Sequence, residues 1–112
     1  MKIDRKKIYE KYNGHCAYCG CEITKNEMQI DHINSKYRGG TDDIENLNPS
    51  CRACNFYKGV MTIEAFRNEL NRLIERLNER VFIYRLARKF GLITETNNGV
   101  IFYFEKLRKE KR

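Results

Sequence analysis

The chain has 112 residues, with 22 Lys and Arg against 15 Asp and Glu, a formal net charge of +7 and a pI near 9.3. That length allows one domain with at most a small appendage, and the longest apolar run, residues 100–104, falls far short of the roughly 18 residues that a membrane span requires. The positive charge predicts attraction to polyanions, nucleic acid first. The polar start Met1-Lys2-Ile3-Asp4-Arg5 lacks the apolar core of a secretory signal, which predicts a soluble protein in a reducing cytoplasm.

In chain order, residues 4–12 place Ile8, Tyr9 and Tyr12 on one side of a short helix, and Asn13-Gly14 supplies the left-handed residue that ends it. Residues 27–33 alternate Met28, Ile30 and His32 against Gln29, Asp31 and Ile33, the period of a strand. Residues 34–43, with Gly39-Gly40, read as a loop, and residues 47–50 as a returning strand that Pro49 keeps away from a sheet centre. A helix over residues 52–58 places Cys54, Asn55 and Lys58 on or near one face.

From Thr62 onwards, Ile63, Phe66, Leu70, Leu73, Ile74, Leu77, Val81 and Tyr84 recur at spacings of three and four. This predicts one long helix running towards Gly91, or two helices with a break near Arg80. The stripe reads as core or as a dimer seam. Residues 92–96 and 100–105 flank Asn97-Asn98-Gly99, which predicts a closing β-hairpin, and the basic residues 106–112 are expected to fray. The fold class is therefore α+β, in two parts packed as one domain: residues 1–60, and residues 61–112 carrying the helices and the hairpin.

Five cysteines include two Cys-x-x-Cys pairs, Cys16/Cys19 and Cys51/Cys54. Two such knuckles present four thiolates to one tetrahedral Zn2+, and with only two histidines the chain lacks the donors for a second four-ligand site. Buried free thiols or a disulfide framework are the alternatives. Cys21 stays outside the shell, because a Cys-x-Cys arrangement with Cys19 suits a single tetrahedral ion less well. A segment so poor in large apolar side chains needs the metal to hold itself together.

The string Cys16-Ala17-Tyr18-Cys19-Gly20, Ile30-Asp31-His32-Ile33, Gly39-Gly40, Glu45-Asn46-Leu47 and Cys51-Arg52-Ala53-Cys54-Asn55 with Lys58-Gly59 resembles the HNH (His-Asn-His) endonucleases with a ββα-metal core. The resemblance covers residues 14–59, in family order. It implies that His32 is the first His, Asn46 the middle Asn, and Asn55 the residue at the position where many members carry the final His. It also implies DNA, taken as double-stranded, as substrate, and a phage or mobile-element setting such as packaging, with packaging proteins as partners.

The residues themselves suit that chemistry. Asp31 and Asn55 are hard oxygen donors, able to hold a catalytic Mg2+ or Mn2+ beside the phosphate. His32 is then free to act as general base on water. By resemblance Asn46 pins the long loop and so fixes His32. Lys58, Arg38 and Arg52 are candidate phosphate contacts. Adjacent strand residues face opposite ways, so Asp31 and His32 can serve one site only with local distortion or a metal at the strand's edge. Two rivals remain: a non-catalytic zinc-containing DNA-binding module, and a zinc scaffold for protein interaction.

Overall fold

Asp4 starts the first helix by accepting hydrogen bonds from the backbone N–H of Lys6 and Lys7 at 3.1 and 3.3 Å, which satisfies two of the donors a helix start leaves open. The computed structural model describes residues 3–110, and this helix, α1, spans Arg5–Glu10. Asn13 and Gly14 follow at φ +53° and +78°, the left-handed stop that the sequence predicts. Strand β1 (Gln29–His32) pairs antiparallel with β2 (Leu47–Ser50) in the register Gln29↔Ser50, Ile30↔Pro49, Asp31↔Asn48, His32↔Leu47. The protein is α+β, with a single two-stranded sheet among the described residues.

Along β1, Asp31 is the buried member of the strand, and Ile30, on the opposite face of the alternation, is half-buried. The buried apolar cluster consists of Ile8 from α1, Leu47 from β2, and Ile23 and Met28 from the segment between α1 and β1. Helix α2 (Arg52–Lys58) follows β2 directly.

The chain divides into two compact units, one running to Ile63 and resuming at Ile101, the other Glu64–Val100. The predicted long helix is three: α3 (Ile63–Asn71), α4 (Leu73–Arg80) and α5 (Phe82–Lys89). Val81, at φ −118° and ψ 100°, makes the break anticipated near Arg80, and Arg72, at ψ 0°, makes a second one that the periodicity does not reveal. In the second unit, Glu95 accepts hydrogen bonds from Asn78 Nδ2 at 2.8 Å and from the Tyr84 hydroxyl at 2.7 Å, which ties the connecting segment to α4 and α5.

The predicted terminal hairpin does not form. Residues 92–102 contain no strand, and α6 (Tyr103–Glu110) takes up the segment expected to be strand and frayed tail; Lys111 and Arg112 lie outside the described residues. The backbone finds other partners. Val100 N–H donates to Asn71 Oδ1 at 2.8 Å, Tyr103 N–H to Tyr18 O at 3.0 Å and Phe104 N–H to Ala17 O at 2.9 Å. Phe102 N–H donates to Glu105 Oε1 at 2.8 Å, one half of a capping box, and its buried ring meets Tyr18 edge-on. No helix of the described residues is long and apolar enough to cross a membrane.

Candidate active site

Backbone hydrogen bonds shape the first knuckle: Cys16 N–H donates to Cys21 O at 2.8 Å and Gly20 N–H to Cys16 O at 3.0 Å. Gly20 sits at φ +82°, and a Cβ there would stand 2.8 Å from the Tyr103 ring, so no other residue fits the turn without displacing α6. The second knuckle is the start of α2, where Cys51 caps the helix and accepts from Cys54 N–H at 3.4 Å. The Sγ atoms of Cys16, Cys19, Cys51 and Cys54 all lie within 4.8 Å of one another, with Cys19 and Cys51 3.9 Å apart. Sulfurs about 2.3 Å from one tetrahedral ion stand about 3.8 Å from each other, so the cage has the size of a four-thiolate metal site. Cys54 donates to Cys16, which draws the Cys16 thiol down to about 4 and pushes Cys54 above the ordinary thiol range. Cys21 is exposed and lies outside the group, and no cysteine is in a disulfide.

Next to this cage, β1 carries Asp31 and His32. The Asp31 side chain is 3% exposed and doubly engaged: the Tyr18 hydroxyl donates a short hydrogen bond to Oδ2, and Lys58 Nζ lies 3.2 Å from both carboxylate oxygens. Burial pushes the Asp31 carboxyl above its usual range, against the opposing pull of Tyr18 and Lys58. Burial, with the Asp31 charge beside it, pushes the Tyr18 hydroxyl up, which keeps it a donor. Lys58 is itself fully buried, and its ammonium also donates to His32 O at 3.1 Å. A buried charge needs a partner and hydrogen bonds, and Lys58 has both.

His32 is half-buried, with Nε2 2.8 Å from Asp42 Oδ1, and Lys36 Nζ reaches the other oxygen of Asp42 at 3.1 Å. The His32 hydrogen bond, then that of Lys36, holds the Asp42 carboxyl below its usual range. The loop bearing Asp42 is clamped by Asn46, whose Oδ1 accepts from Asn34 N–H at 2.8 Å and whose Nδ2 donates to Asn34 O at 3.0 Å and Thr41 O at 2.8 Å. Gly40 lies so close to Asn34 that a Cβ would stand 1.7 Å from its carbonyl oxygen, which demands glycine there. On α2, Asn55 is half-buried, and its side chain makes no hydrogen bond to another described residue.

Residues 16–60, the segment that holds the cage, the strand pair and α2, match the family model for HNH endonuclease. This segment is an HNH endonuclease domain. The chain is similar to the CRISPR-associated endonuclease Cas9 of Corynebacterium diphtheriae, 39% identical over 56 residues that make up 49% of this chain and 5% of that protein. It is also similar to the "SPbeta prophage-derived putative HNH endonuclease YoqL" of Bacillus subtilis, 27% identical over 81 residues, 62% of this chain and 34% of that one. Among solved structures, the Type II-C Cas9 enzyme from Actinomyces naeslundii superposes with a TM-score of 0.54 at 27% identity, over 59% of this chain and 8% of that chain. The chain therefore spans a minor part of each relative.

Within the HNH segment, three sequence expectations need correction or refinement. Lys58 is not available to phosphate, because its ammonium is sealed against Asp31. Asp31 is a partly engaged ligand: of the roughly four acceptor positions of a carboxylate, Tyr18 takes one on Oδ2 and Lys58 one on Oδ1. Arg38 is exposed but already donates through Nε to Val60 O at 3.1 Å, whereas Arg52 is exposed with no such tie among the described residues. The sequence does not single out Tyr18 or Asp42. The one signal for Asp42 is its place after the Gly39-Gly40 turn and ahead of Asn46; for Tyr18 it is an aromatic residue inside a metal knuckle.

Proposed function

We propose that this chain is a metal-dependent endonuclease that hydrolyses DNA phosphodiester bonds, with His32 as general base, on a scaffold held by one Zn2+ at Cys16, Cys19, Cys51 and Cys54. The observation that carries the reading is a partly solvent-accessible imidazole fixed through one nitrogen by Asp42, in an HNH segment whose helix α2 offers the unengaged amide of Asn55. The donor chemistry suits a hard divalent cation, Mg2+ or Mn2+, held by Asn55 and by an acceptor position that Tyr18 and Lys58 leave open on Asp31. Such an ion, when bound, supplies charge neutralisation at phosphorus and at the leaving oxygen.

The rest of the reaction belongs to the chain. His32 takes the proton of the attacking water. Asn46 keeps the loop that steadies His32 in place. Lys58 and Tyr18 hold Asp31 from the inner side, and Arg52 and Arg38 present positive charge on the outer surface for the DNA backbone. A net charge of +7 supports duplex DNA as partner, thiolate ligands suit a reducing intracellular compartment, and the prophage-derived relative supports a phage or mobile-element setting.

The engagement of Asp31 favours one rival, a zinc-containing DNA-binding module without catalysis. Nicking of supercoiled plasmid, with Mg2+, Mn2+ and other ions in turn, separates the two. The parent should nick and His32→Ala should lose roughly 100- to 10,000-fold in rate while still shifting DNA in a gel. A parent that binds plasmid and leaves it intact under every ion would establish the rival.

A further inference from the structure

We propose that Asp42 is a positioning residue for the general base, holding the His32 ring so that Nδ1, not Nε2, faces the attacking water. The inference rests on the nuclease reading above and adds to it the atom that accepts the proton. An ionised carboxylate only accepts hydrogen bonds, so the 2.8 Å contact with Asp42 Oδ1 places the hydrogen on Nε2 and leaves the Nδ1 lone pair for the reaction. Lys36, at 3.1 Å from the other oxygen, keeps that carboxylate charged and aimed.

The backbone explains why the contact is fixed. Asn46 Nδ2 grips Thr41 O, the carbonyl immediately before Asp42, while Asn46 Oδ1 grips Asn34 N–H, two residues after His32. Both arms of the His32–Asp42 pair thus start from one side chain. Gly40 allows the loop to lie against Asn34 at a separation that any Cβ would prevent. The middle Asn therefore acts on the base at one remove, through Asp42, and an orienting carboxylate of this kind is typically worth roughly 10- to 100-fold.

The experiment uses the zinc-loaded full chain and compares the parent with Asp42→Ala, Asp42→Asn, His32→Ala and the His32→Ala/Asp42→Ala double variant. Single-turnover nicking at saturating DNA, the DNA dissociation constant, the melting temperature and a long-range 1H–15N spectrum of the His32 ring are measured. Asp42→Ala should lower the rate roughly 10- to 100-fold with DNA affinity unchanged. Asp42→Asn, whose amide oxygen can still accept from Nε2, should fold like the parent and cut at an intermediate rate. Adding Asp42→Ala to His32→Ala should slow cutting no further, because the group being positioned is gone. The ring should be the Nε2–H tautomer in the parent and lose that bias in Asp42→Ala.

An Asp42→Ala enzyme as fast as the parent, or an equal drop from Asp42→Ala with and without His32, overturns the proposal. If the parent cuts no DNA, it is the nuclease reading that fails. The ring spectrum then decides for Asp42 by itself, and an unchanged spectrum in Asp42→Ala rejects it.

Discussion

Lys58 shows how far a residue's role depends on where its side chain is aimed. Its ammonium is enclosed by Asp31, His32 O and Ile33 O, so replacing it with methionine leaves the Asp31 carboxylate buried and uncompensated. Lys58→Met is expected to destabilise the protein by roughly 3–5 kcal/mol, read as a lower urea midpoint at unchanged slope. A phosphate-contact role would instead leave the midpoint alone and flatten the salt dependence of DNA binding. The helical spacing Cys54, Asn55, Lys58 was legible in the sequence, but spacing does not say which members of a face turn inward. Asp31 was legible as a carboxylate beside a histidine, while its partner Tyr18 was not, because the pair forms only once the knuckle and the strand are packed. Asp42 could not be read as the partner of His32, since their meeting depends on how Asn46 folds the loop between them.

Among elements, those with local causes were read correctly and those with tertiary causes were not. The stop at Asn13-Gly14 and the two short strands around Asp31 and Asn48 follow from the cap and strand signals. Asn98-Gly99 is a strong hairpin signal, yet its flanking strands never pair, because Asn71, Ala17 and Tyr18 take the backbone hydrogen bonds that a second strand would have used. Glu105 then starts a helix by bonding back to Phe102 N–H. Glu105→Ala should therefore weaken α6 by about 1 kcal/mol, seen as lost helical circular dichroism and a melting point lower by several degrees. A true hairpin at this position would be indifferent to that change.

For the whole molecule, the metal cage is the junction of the first unit, since Cys16 and Cys19 precede β1 while Cys51 and Cys54 start α2. A structural Zn2+ contributes on the order of 10 kcal/mol to folding, comparable to the net stability of a small domain. Cys51→Ala, or treatment with a strong zinc chelator, should unfold this unit and not merely slow cutting. Metal analysis together with amide hydrogen exchange checks it: full protection with no bound zinc would show the cage to be dispensable. The helices of Glu64–Val100 contain no ligand of the cage, so their exchange should change less.

The hydrogen bonds from Tyr103 and Phe104 back to Tyr18 and Ala17 also set an order of events during synthesis. A nascent chain that has displayed every Cys, the Asp-His pair and α2 outside the ribosome still lacks the aromatic plug, Phe102, that packs on the ring holding Asp31. The surroundings of Asp31 are thus completed only after residue 102 has emerged, so the packing around that carboxylate waits on a segment more than forty residues beyond α2.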